Sequence, residues 1–203
     1  VNNFWSGFWT AVVVSVLAVI WVVFSQREFA YPAESWVIKD TYKAVAKVQV
    51  WIPSGFGWGT TVSIGDGKWL TAKHMVDDAF SISVNGQVAF VDKMGPNDTS
   101  EDMDDDWAIL TSYRTRSVAH TFQFEVGDHA FRIGNDHNYG LFIAEGVIGE
   151  KTKEGLYPLS CSIAPGASGG GVFNDNGELI GIIVRRAGDA YLLFVPLQEV
   201  MFQ

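Results

Sequence analysis

The chain has 203 residues, 21 of them glycine, a single cysteine and a formal net charge of −9. That length holds one sizeable domain, or one domain with an appendage. The acidic balance argues against nucleic acid as a partner, because phosphate binding needs a basic surface, and the lone Cys161 excludes an internal disulfide or a Cys-based zinc cluster.

The first feature in chain order is Phe4–Phe24, a run of 21 residues without a charged side chain. At about 1.5 Å rise per residue it crosses the roughly 30 Å hydrocarbon core of a bilayer. Trp5, Trp9 and Trp21 lie toward its ends, where indoles favour the interface. A cleaved signal peptide would carry a basic n-region and a small-residue cleavage site, and neither is present. A buried core helix would show a polar stripe, and this run has only Ser and Thr. Residues 1–26 are therefore expected to be a single-pass membrane anchor, and 27–42 a linker. Arg27, with no base before the run, points to a cytoplasmic C-terminal side, and Glu28 beside it offsets that signal. The side on which the body lies stays open.

From residue 43 the chain reads as strands. KVQVWI, TTVSIG and KWLTA are β-branched or alternating runs, with GFGWG and GDG as breaks. SISV, a turn at Asn85-Gly86 and QVAFVDKM predict a hairpin. A polar loop follows with six acidic residues between Asp98 and Asp106, then the apolar run WAIL. A second set begins near Phe122 with HAFRIG, GLFIAEGVIGE, LYPLSCSI, GGGVF, ELIGIIV and AYLLFVP, and LQEVMFQ predicts a short terminal helix. Short strands without a long amphipathic helix argue an all-β fold. Two sets of about six strands imply two small barrels, one over about 43–115 and one over about 120–197.

Three places carry chemistry. Ser168 lies in PGASGGG, where flanking glycines let the backbone turn tightly and approach a substrate. The N–H groups of Gly166 and Ser168 are candidates for an oxyanion hole. A phosphate-binding loop would carry Gly-Lys-Ser/Thr at the start of a helix, and no lysine is present. His74 ends the apolar run WLTAKH. Asp106 opens DWAIL, and an acid directly before an apolar strand can be half-buried, as an orienting carboxylate must be, whereas Asp102, Asp104 and Asp105 read as solvated loop charges. His120, His129 and His137 have no comparable setting. A hydroxyl, an imidazole and an orienting carboxylate are the parts that nucleophilic acyl transfer requires.

Together these motifs resemble the trypsin-like serine proteases: WLTAKH is similar to their LTAAH, DWAIL to their D-L-A-L-L, and PGASGGG to their G-x-S-G-G, in the order His, Asp, Ser. FRIGNDHNYG followed by EGVIG resembles the corresponding stretch of HtrA-like proteases, as do GELIGIIV and FVPLQEV. The resemblance runs over about 43–200 and does not extend to a PDZ domain. It implies a chymotrypsin-like double β-barrel and a serine endopeptidase with His74, Asp106 and Ser168 as triad, acting on protein or peptide substrates without a cofactor. A compact protease behind a membrane helix also resembles the polyprotein proteases of sobemoviruses and poleroviruses, and the 32- and 62-residue spacings of the triad suit that group. The chain departs from the pattern at Lys73, Asp136, His137 and Gly171, none of them a catalytic position. The competing function is an inactive membrane-anchored binding or scaffold protein on the same fold. A lipase-like hydrolase would place its serine between strand and helix of an α/β chain.

The resemblance also places Ser162, Ile163, Ile183, Val184 and Arg185 along the substrate. Ser162 stands where trypsin-like enzymes that cut after Lys or Arg keep an acid. Ile183 stands where Gln- and Glu-specific viral proteases keep a histidine. An unpaired charge buried there would cost several kcal/mol, so cleavage after small or medium apolar residues is expected. Arg185, Arg186 and the Gln-type sequence EVMFQ pull the other way. Oligomeric state is not legible in the sequence.

Overall fold

The computed structural model describes residues 34–96, 105–188 and 190–201. The apolar run Phe4–Phe24 and the loop acids Asp98, Asp102 and Asp104 lie outside them. Among the described residues no helix is long and apolar enough to cross a membrane.

The first sheet is a closed antiparallel barrel of β1 (Val45–Ile52), β2 (Gly55–Gly65), β3 (Lys68–Thr71), β4 (Ser81–Val84), β5 (Gln87–Met94) and β6 (Ala108–Thr111), in the order β1-β2-β3-β6-β5-β4. The Asn85-Gly86 turn joins β4 to β5 as the sequence predicts, with φ of 46° and 80° at the two residues; both positive values suit a tight hairpin turn. GFGWG, expected as a break, is instead the first half of β2. Gly55, Gly57 and Gly59 pair with Ile52, Val50 and Val48, and the reversal falls at Pro53-Ser54. Pairing to the apolar β1 overrides the weak strand preference of glycine. Val48, Val50, Trp69, Val84, Ala108 and Leu110 fill the barrel interior.

The second sheet has β7 (His129–Asn135), β8 (Leu141–Val147), β9 (Tyr157–Leu159), β10 (Gly171–Phe173), β11 (Leu179–Ala187) and β12 (Tyr191–Pro196), in the order β8-β7-β10-β11-β12-β9. Its two edges meet through a bridge between Ile148 and Leu159, and the Gly149 N–H donates to the Pro158 carbonyl at 2.8 Å. Ala130, Leu159, Cys161, Val172, Ile180, Ile183 and Phe194 pack inside.

Ser35–Tyr42, expected as part of a linker, forms helix α1, and Leu197–Met201 forms the expected terminal helix α2. Val37 of α1 and Leu197 and Val200 of α2 join a core cluster that draws on both sheets: Val45, Val62 and Leu70 from the first, Phe131, Phe173, Ile182 and Val195 from the second. Each such side chain, removed from water, contributes about 1.5–3 kcal/mol. This shared core fixes the two sheets against each other and so positions the loops that meet between them.

Candidate active site

His74 sits in a single 3₁₀ turn, Lys73–Met75, directly after β3. Asp106 is two residues before β6, the strand that pairs with β3. The pairing of Thr71 with Ala108 brings the two side chains together. One Asp106 oxygen accepts from the His74 backbone N–H at 2.9 Å, and the other lies 2.7 Å from His74 Nδ1. The carboxylate thus holds both the main chain and the ring of the histidine. The Asp106 side chain is 14% exposed and that of His74 44%, so the ring faces outward while its anchor is half-buried. With Nδ1 turned to the carboxylate, Nε2 is left as the acceptor on the other side of the ring. Lys73 Nζ donates to the carbonyls of Gly95 and Pro96, at 2.8 and 3.1 Å, and ties the neck of the acidic loop to the turn carrying His74.

Ser168 arrives from the other sheet. It lies in the loop between β9 and β10, and its carbonyl accepts from the Thr60 N–H of β2 at 2.8 Å. Next to it, Gly169 has φ of 78°, and a Cβ there would collide with the Thr60 carbonyl and Thr71 Oγ1, and would come within 3.0 Å of the Ala72 nitrogen. The serine loop is therefore pressed against the last residues before the His74 turn, and only glycine permits that approach. Gly166 also has positive φ, 97°, with its Cα against the Asn135 carbonyl and the Trp58 indole. Within this loop the N–H groups of Ala167, Gly169 and Gly170 donate to Ala164, Ile183 and Ala167. Those of Gly166 and Ser168 meet no acceptor among the described residues. Two N–H groups without an acceptor in the loop that carries the serine are the kind of donor an oxyanion hole uses.

The residues expected along the substrate fall into two groups. Ser162 and Arg185 are exposed and Ile163 is half-buried. Ile183 and Val184 are buried. The Ile183 side chain packs inside the second sheet with Cys161 and Ala167, and its N–H and carbonyl are used by Gly170 and Gly169 at 2.8 and 2.7 Å. Val184 lies in the bulge between Ile183 and Arg185. Arg185 pairs with Glu154 at 3.4 Å.

The sequence reading missed Arg132. It lies mid-strand in β7 with its side chain 2% exposed, and makes two 2.7 Å bonds to Asp136, one from each terminal nitrogen. Its Nε donates to the Ser162 carbonyl at 2.9 Å. The following turn, Asp136–Asn138, adds a bond from the His137 N–H to the Pro165 carbonyl at 2.7 Å. The ion pair and its turn thus hold the serine loop at Ser162 and Pro165. The signal in the sequence is a lone charge inside the apolar run HAFRIG. Beside it, burial pushes the Cys161 thiol up to about 11, with the Arg132 guanidinium working in the opposite direction.

A double antiparallel barrel carrying an Asp-clamped histidine on one sheet and a glycine-flanked serine from the other defines the chymotrypsin-like serine peptidase class. The trypsin-like peptidase domain family matches over residues 59–182, and the chain belongs to that family. It is similar to the periplasmic pH-dependent serine endoprotease DegQ of Escherichia coli, 30% identical over 143 residues, which are 63% of this chain and 30% of the relative. It is likewise similar to the serine endoprotease DegS of Haemophilus influenzae, 31% identical over 139 residues, 61% of this chain and 39% of the relative. The chain thus spans well under half the length of these curated relatives. Among solved structures, the serine endoprotease from Yersinia pestis superposes with a TM-score of 0.72 at 25% identity, covering 85% of this chain and 65% of that one. The Rv3671c protease of M. tuberculosis shares the fold with a TM-score of 0.70 at 17% identity, covering 85% and 86%.

Proposed function

We propose that the chain is a serine endopeptidase that works through His74, Asp106 and Ser168, on a membrane to which residues 4–24 anchor it. The observation that carries the reading is the double hold of Asp106 on His74. It fixes the ring with Nδ1–H toward the carboxylate, so that Nε2 takes the Ser168 hydroxyl proton as Oγ attacks the scissile carbonyl. The carbonyl oxygen, now negative, is stabilised by the free N–H groups of Gly166 and Ser168. His74 then gives its proton to the leaving amine, and the acyl group stays on Oγ until water, activated by the same imidazole, releases it.

Substrates are protein or peptide segments cleaved after small or medium apolar residues. Ser162 carries no charge and the nearby Arg132 guanidinium is paired with Asp136, which supports an uncharged pocket at that position. Of the two sides of the family resemblance, the bacterial endoproteases named above support the HtrA-like one over viral polyprotein processing. Membrane attachment is supported by the uncharged Phe4–Phe24 run.

Ser168→Ala tests the reading. It should lower turnover of a sensitive peptide by about 10⁴-fold or more while the far-ultraviolet spectrum stays unchanged. Cleavage at the wild-type rate would remove Ser168 from the mechanism. Carbonate extraction tests the anchor: the full chain should stay in the membrane pellet, and recovery in the supernatant would exclude a spanning helix.

A further inference from the structure

On the outer face of the first barrel three aromatic rings stand in a row that begins at the serine loop. Gly57 turns toward Val50 in the barrel interior. Successive strand residues point to opposite sides, so Phe56 and Trp58 lie on the outer face of β2. The Trp58 and Phe56 ring centroids are 6.1 Å apart, and Trp51, paired with Phe56 across β1, has its ring 5.1 Å from that of Phe56. Trp51 is 52% exposed and Phe56 40%, whereas Trp58 is half-buried. A Cβ on Gly166 would come within 3.0 Å of Cδ1 and Nε1 of the Trp58 indole, which sets that edge of the ring against the serine loop. Adjacent large apolar side chains left in water call for an explanation, as single ones do not. Their cross-strand neighbours are polar, Gln49 opposite Trp58 and Ser81 opposite Trp51.

Ser168 has two flanks. On one, β11 holds the loop: the Ile183 carbonyl accepts from the Gly169 N–H at 2.7 Å, and the Ile183 N–H donates to the Gly170 carbonyl at 2.8 Å. On the other, β2 holds it: the Thr60 N–H donates to the Ser168 carbonyl and Thr60 Oγ1 to the Gly166 carbonyl, both at 2.8 Å. Trp58 stands two residues before Thr60 on that second flank. With the acyl half of a substrate along β11, the half that departs as the amine crosses to the β2 flank and meets Trp58 first. Alternate side chains of an extended peptide are about 7 Å apart, close to the spacing of the Trp58 and Phe56 rings.

We propose that Trp58, Phe56 and Trp51 form a binding surface for the leaving-group segment of the substrate. An apolar or aromatic side chain two residues after the scissile bond packs on Trp58, and another, four residues after it, packs on Phe56 and Trp51. This selection rests on the endopeptidase reading above and adds to it a preference on the far side of the cleaved bond. Continuity of the row with the serine loop, through Trp58 and Gly166, assigns it to substrate rather than to lipid or to a second copy of the chain. Apolar burial and ring packing supply the affinity, so the preference should persist at high salt.

Three quenched fluorescent peptides test it. They share the acyl half Gly-Ala-Ala-Val and carry the leaving halves Ala-Phe-Ala-Ser, Ala-Ser-Ala-Phe or Ala-Ser-Ala-Ser. For the full chain in mild detergent, kcat/KM should be at least tenfold higher for the first than for the third, and at least threefold higher for the second than for the third. Trp58→Ser should bring the first ratio below threefold, and Phe56→Ser should bring the second to about one. Ratios measured on one preparation cancel any general loss of activity. Phe56 is exposed, so Phe56→Ser reads the row even where Trp58→Ser unfolds. Wild-type ratios near one, or ratios that survive the substitutions, overturn the proposal. So does a change in the mass of the detergent-solubilised particle in Trp51→Ser with unaltered ratios, which would assign the row to contact between copies. A binding arm separates this inference from the catalytic one. Ala-Phe-Ala-Phe-amide, titrated into the ¹⁵N-tryptophan-labelled Ser168→Ala chain, should shift the Trp58 and Trp51 indole N–H signals, assigned by Trp→Phe variants, and Ala-Ser-Ala-Ser-amide should not. Those shifts in a protein whose wild type cleaves no peptide would sink the catalytic reading and leave the row as a peptide-binding surface. Cleavage without shifts or selectivity would sink the row alone, and neither cleavage nor shifts would sink both.

Discussion

The ion pair beneath the serine loop makes a quantitative prediction. Asp136→Asn is nearly isosteric but removes the charge opposite Arg132 and turns one of two acceptors into a donor. The Arg132 side chain is 2% exposed and is enclosed by the second sheet, so its guanidinium cannot turn to water for compensation. Breaking a buried pair by removing one partner costs about 3–5 kcal/mol. Against a typical total stability of about 5–15 kcal/mol this is a large fraction. With a urea m-value of about 2 kcal/mol/M the midpoint should fall by about 2 M. Equilibrium unfolding of the full chain in mild detergent, followed by tryptophan fluorescence, measures it. The double variant Arg132→Met/Asp136→Leu removes both charges together. It should lie within about 1–2 kcal/mol of wild type, the remainder reflecting the lost bond to the Ser162 carbonyl. An Asp136→Asn protein within about 0.5 kcal/mol of wild type, or a double variant worse than the single, would refute the reasoning.

Other consequences are equally open to measurement. Gly169→Ala forces a left-handed backbone on alanine and drives its Cβ into the Thr60 carbonyl; a loss of about 2–5 kcal/mol is expected in the same unfolding assay. Lys73→Met removes two bonds to the loop neck and should cost about 1–3 kcal/mol and lower kcat, since the neck leads to Asp106. The folded Cys161 thiol stays protonated up to about pH 11, against 9.0 for the free group. Stability should therefore be independent of this group below about pH 9. It should fall by about 2–3 kcal/mol as pH rises through that window, because only the unfolded thiol ionises there. Cys161→Ala should flatten this part of the pH profile. At pH 8 a thiol reagent should modify the native protein slowly and the urea-unfolded protein quickly.

How much of this was legible in the sequence depends on how local each feature is. The Asn85-Gly86 hairpin, the two sets of strands and the terminal helix are encoded in short windows, and the structure has them where the patterns put them. His74 and Asp106, read from separate motifs, meet because β3 and β6 pair in the register that sets Thr71 opposite Ala108. GFGWG was misread because glycine punctuates a chain locally, whereas here its lack of a side chain lets β2 approach the serine loop. Ser35–Tyr42 gives little helical signal: among its eight residues only Val37 and Thr41 are buried, and its docking on the distant Gly177 decides it. The Arg132–Asp136 pair was out of reach because its meaning lies in burial. A charge inside an apolar strand is visible in the sequence, but the partner that neutralises it is not.

The central claim is that Ser168 is a nucleophile activated by the Asp106-held His74. Labelling the full chain with a fluorophosphonate, followed by mass spectrometry of its peptides, tests it most directly. The account predicts one adduct, on the peptide containing Ser168, absent from Ser168→Ala and at least a hundredfold slower to form in His74→Ala. No adduct on the wild-type chain, or an adduct on another serine that survives Ser168→Ala, would contradict it.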